Sequence, residues 1–64
     1  MTECEIIELA AILVTEHGDH AVRFAEERRA EHDRQRASDA YRLWDSIAVA
    51  TARLVSRRSA GTAA

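Results

Sequence analysis

The stretch His17-Gly18-Asp19-His20 decides the fold, because it closes an apolar periodic run on one side and opens a charged one on the other. Gly18 is the only glycine before residue 61. A glycine directly after an apolar helical run is the usual left-handed residue that ends a helix. Asp19 then reads as the N-cap of the next helix, its carboxylate accepting from backbone N–H groups two or three residues on. A short corner makes two helices neighbours, so the first and second helices are expected to pair antiparallel about Gly18.

Behind the corner, Thr2-Glu3-Cys4-Glu5 has the spacing of a capping box and predicts a first helix over about 3–17. Ile6, Leu9, Ala10 and Leu13 recur at helical spacing and form its core stripe. Ile7, Ala11, Ile12 and Val14 fall off that stripe and give the helix a second apolar face.

Ahead of the corner, a second helix is expected over about 20–34, with Ala21, Phe24, Ala25 and Arg28 inward and a face of mixed charge in water. Gln35-Arg36-Ala37-Ser38-Asp39 contains neither proline nor glycine, so the next break is weakly specified. Ser38 is the best N-cap there, which places the break near Arg36 and Ala37 and a third helix over about 39–57. One continuous helix over 20–58 is the competing reading, and it would bury little of its middle. In the third helix Ala40, Leu43, Trp44, Ile47, Ala50, Thr51 and Leu54 form the core stripe, while Tyr41, Ala48, Val49, Ala52 and Val55 lie off it. Residues 59–64 are small and polar and are expected to be a disordered tail. The fold class is therefore all-α: a single domain over 1–58, built as a three-helix hairpin or bundle completed by dimerisation.

Size and charge narrow the function. A domain of 64 residues buries only about 60% of its unfolded surface and usually needs a disulfide, a metal or a partner subunit. Cys4 is the only cysteine, so no disulfide forms within the chain. Nine arginines stand against 11 acidic residues, a net charge of −2, which gives the whole molecule no bias toward nucleic acid or membrane. The charges are nonetheless segregated. Residues 1–19 carry five acids and no arginine, whereas 35–64 carry five arginines and two acids. Leu9 to Val14 is too short to span a bilayer and no basic segment precedes it, so a cytoplasmic protein is expected.

The sharper chemical readings are weaker than their structural alternatives. His17 and His20 with Asp19 offer metal-binding groups, but Gly18 separates the histidines and a structural zinc site asks for four ligands. Neither a metal nor any other cofactor is expected. Cys4 stands among glutamates rather than the basic groups that activate a thiol, and no general base is marked for it, so the chain reads as a non-enzyme without catalytic residues. The helix–corner–helix outline resembles a DNA-binding motif, yet Glu26, Glu27, Glu31 and Asp33 offset the arginines of the second helix.

An apolar helix ending in His17-Gly18, then Ala21, Ala25 and Arg28, then Trp44-x-x-Ile47, resembles short uncharacterised helical proteins of alphaproteobacteria. Those proteins carry Gly-Asp between their second and third helices where Ala37-Ser38-Asp39 stands here. The resemblance implies a bacterial, cytoplasmic helical domain and carries over no activity.

The function expected is a small protein-interaction or structural module, acting as a homodimer or higher homo-oligomer or by docking on a larger protein partner. Ile7, Ala11 and Val14 on the first helix and Ala48, Ala52 and Val55 on the third are its expected interface, with the acidic first helix meeting the basic third in an antiparallel or exchanged register. The alternative is a small regulator that contacts nucleic acid through Arg53, Arg57 and Arg58.

Overall fold

The computed structural model describes residues 2–62, with side chains described as far as Arg58. It is all-helical, and among the described residues there is no strand. Helix α1 runs Glu3–His17, a 3-10 turn covers Gly18–His20, and α2 (Ala21–Arg34) and α3 (Ser38–Thr62) follow.

Thr2 caps α1 as its sequence predicts: its hydroxyl oxygen accepts from the Glu5 N–H at 3.2 Å, and its hydroxyl donates to the Glu5 carboxylate at 3.1 Å. At the other end Gly18 donates its N–H to the Val14 carbonyl at φ 57°, ψ −127°. The positive φ is the one expected, but this ψ lies outside the left-handed helical well and close to the mirror image of the polyproline region. Asp19 is not the N-cap. It sits exposed inside the 3-10 turn, and the cap position falls to His20, which makes no side-chain capping bond. The turn itself continues the chain's helical sense and takes over the task of a cap.

The second corner is a Schellman motif built without glycine. Arg36 N–H donates to the Asp33 carbonyl at 3.1 Å and Ala37 N–H to the His32 carbonyl at 2.9 Å, with Arg36 at φ 57°. A non-glycine residue at positive φ costs roughly 1–2 kcal/mol. Arg36→Gly is therefore expected to stabilise the fold by about 0.5–1 kcal/mol after the added freedom of the unfolded chain is counted. A thermal melt that falls rather than rises would show that the Arg36 side chain holds the corner.

Past this break α3 begins at Ser38, one residue before the expected start, so Ser38 is its first helical residue rather than its cap. The helix then runs through Thr62 rather than ending near Arg57. The backbone over 59–62 is thus helical where a tail was expected, and residues 63 and 64 lie outside the described residues. At about 1.5 Å per residue its 25 residues span about 37 Å, which accounts for most of the 42 Å length of a molecule 22 Å by 16 Å across.

The longest helix is also the shared partner. Both α2 and α1 pack chiefly on α3 and touch each other far less, so the short connection about Gly18 does not make α1 and α2 each other's main packing partners. Ala25, Ile47 and Ala48 form the buried centre, and Ile6, Leu9, Leu13, Leu43 and Trp44 pack around it. Thr51 is fully buried and its hydroxyl donates to the Ile47 carbonyl at 2.6 Å. Beside this centre Phe24 stacks on His17 with ring centroids 4.6 Å apart, meets Trp44 at a 70° interplanar angle, and carries the Arg28 guanidinium 5.3 Å above its ring. The polar second half of α2 is held by Arg29, whose guanidinium donates to Asp45 of α3 at 2.8 Å. That hydrogen bond holds the Arg29 pKa above its ordinary value.

Candidate interaction surface

The core is thin for its length. The fully buried residues are Ala10, Ala21, Ala25, Ile47 and Thr51, with Ala48 at 5%, so Ile47 is the only large apolar side chain among them. Alanines let the helices approach closely, but each removes little apolar surface from water. The larger side chains, Ile6, Leu9, Leu13, Phe24, Leu43, Trp44 and Leu54, are only half-buried. Ile12, Ile7 and Val49 are still more open, at 51%, 47% and 45% exposed.

Two of those three meet in one place. Ile6 and Ile7 on α1 face Val49, Ala50 and Leu54 on α3 across an open groove of about 410 Å³. Glu3, Asp45, Arg53 and Arg57 also line it, so an apolar strip lies between acidic and basic groups. With Ser46, polar and apolar residues contribute equally to its lining.

Of the six residues expected at an interface, the structure leaves Ile7, Ala11 and Ala52 exposed and Val14 and Val55 half-buried. Ala48 is corrected: it is buried with Ala25 of α2 in the core and presents no free surface. The reason is rotational. The sequence shows that α3 has more apolar surface than one helix covers, but the side of α3 that receives α2 is set by packing. That side includes Ala48, and Val49, the next residue, is the one turned outward. Val49, Ala50 and Leu54 line the groove although none was among the six expected, and exposed Ile12 lies opposite buried Ala10 by helical periodicity.

The arginines of the nucleic-acid alternative do not share one face. Arg53 and Arg57 line the groove, whereas Arg58 is turned by about 100° from Arg57 on an α-helix. Acidic Glu3 and Asp45 stand in the same groove, which weakens its field toward phosphate.

At the first corner, the His17 ring is engaged on Phe24 while His20 and Asp19 are exposed. Among the described residues no three His, Cys, Asp or Glu side chains come together as a metal-holding group. Cys4 is exposed on α1. No helix among the described residues is long and apolar enough to cross a membrane. Comparison with models of protein families, with curated proteins and with solved structures finds no match.

Proposed function

We propose that this protein is a small helical association module whose core is completed by a second copy of itself, making a dimeric helical bundle. The observation that carries the proposal is the burial pattern: among the described residues Ile47 is the only large apolar side chain fully removed from water, while Ile7, Ile12 and Val49 stand about half exposed. Soluble monomers seldom leave contiguous apolar surface open along a groove. Covering each ~400 Å² of such surface contributes about 10 kcal/mol at about 25 cal/mol per Å², before the entropy of association is charged. That is comparable with the whole stability of a small domain. A structural role through assembly needs no catalytic residue and no cofactor. Contact with nucleic acid through Arg53, Arg57 and Arg58 has less support, given the acids that line the same groove.

Sedimentation equilibrium tests the reading on the wild type and on Ile7→Glu with Val49→Glu, two exposed positions whose replacement leaves the buried centre intact. The wild type is expected to run as a dimer of the 7.2 kDa chain at micromolar concentration, and the double variant as a folded monomer. A wild type that stays monomeric throughout that range would overturn self-association and give the groove to a different protein.

A further inference from the structure

The ion pairs among the described residues all involve arginines of α2. Around α2, Arg29 lies 2.8 Å from Asp45 and 3.9 Å from Glu26, and Arg28 lies 3.6 Å from Glu31. Among the described residues, no ion pair engages Glu5 or Glu8 of α1, although the Glu5 carboxylate accepts from the Thr2 hydroxyl, and none engages Arg53 or Arg57, which line the groove on α3.

These charges form two stripes of opposite sign, each ending in an exposed apolar residue. Helical periodicity sets Glu5, Glu8 and Ile12 on one strip of α1, turned away from buried Ala10, and Val49, Arg53 and Arg57 on one strip of α3 beside the groove. At about 1.5 Å per residue, Glu5 to Glu8 to Ile12 advances by about 4.5 and 6 Å, and Arg57 to Arg53 to Val49 by about 6 and 6 Å. Read in opposite directions, the stripes match in order, acid–acid–apolar against base–base–apolar, and nearly in length. Within one molecule they cannot meet, because α1 packs on the core through Ile6, Leu9 and Leu13 and so faces α3 with its other side.

Resting on the self-association reading, we infer that the groove receives α1 of a second copy, laid antiparallel to α3. Ile12 of the second copy then packs on Val49 and Ile7, its Glu8 meets Arg53, and its Glu5 meets Arg57. In a two-fold dimer the contact is made twice, which brings the three most exposed large apolar side chains of both chains under cover. A standard interface of about 800 Å² per partner is about one sixth of the 4780 Å² surface, within reach of two such helix contacts. The apolar contact supplies affinity, and the flanking charges set direction and register.

Charge exchange between two exposed positions tests this pairing. Glu8→Arg places like charge against Arg53 at both contacts of the dimer, and Arg53→Glu does the same against Glu8. Each variant alone is expected to dimerise at least tenfold more weakly than the wild type while keeping its helical circular dichroism. An equimolar mixture of the two restores both contacts, so a mixed dimer of near wild-type affinity should form and tighten as salt is lowered. If each variant dimerises as tightly as the wild type, or if mixing produces no gain, the register is wrong although the dimer stands. If the wild type itself is monomeric, the association reading fails first and this inference with it.

Discussion

Ile47→Ala is expected to cost about 2–5 kcal/mol, the range for removing a large aliphatic side chain from a packed centre. Ile47 is 1% exposed and stands between Ala25 and Ala48, neither of which can move a long side chain into the cavity left behind. A domain this small has on the order of 3–5 kcal/mol to lose. The variant should therefore be largely unfolded in dilute solution, with its thermal transition lowered by tens of degrees or lost, since about 1 kcal/mol corresponds to about 4–8 °C at this size. The same truncation at half-buried Leu54 should cost far less in the monomer. A circular dichroism melt in which Ile47→Ala stays within a few degrees of the parent would mean that the centre of the fold lies elsewhere.

Gly18→Val should be the next most damaging change, by about 1–3 kcal/mol, and for a different reason. A Cβ added at residue 18 would meet no atom within 4 Å, so crowding by neighbours contributes nothing. The cost is that of holding an L-residue at φ 57°, ψ −127°. Val suffers more than Ala there because its branched Cβ is less tolerant of unusual backbone. A d-alanine introduced at residue 18 by chemical synthesis has the mirrored preference and should match or exceed the parent. Should the valine variant melt with the parent, or d-alanine prove as harmful as valine, the conformation assigned to this corner is wrong.

Elements declared themselves in the sequence where one residue type answers one local demand. Thr2 and Gly18 bound α1 because an oxygen acceptor and a positive φ are needed at its two ends, and the residues there supply them. The stripe of Ile47 and Thr51 was equally legible, since both recur at helical spacing within an apolar run. The second corner was placed correctly but for incomplete reasons: Arg36 is held at positive φ by backbone bonds, its own N–H to the Asp33 carbonyl and the Ala37 N–H to the His32 carbonyl, which leave no mark on side-chain chemistry. Rotation of α3 was not legible at all. Ala48 and Val49 are adjacent off-stripe apolar residues, and only the seating of Ala25 of α2 on one side turns the first inward and the second outward. For the same reason, that an open groove runs between the first and third helices along Val49, Arg53 and Arg57 needed the packed structure.

That α3 is the common partner of both other helices also sets an order of assembly. The α2–α3 pair is joined by three residues and shares the most extensive packing in the molecule, so its closure costs little chain entropy. Helix α1 reaches α3 across the intervening residues 18–37 and gains contact only after a longer loop has closed. Helix α1 is therefore expected to form its contacts last and to be the first layer to open, which native-state hydrogen exchange would show as weaker protection in α1 than in the α2–α3 pair.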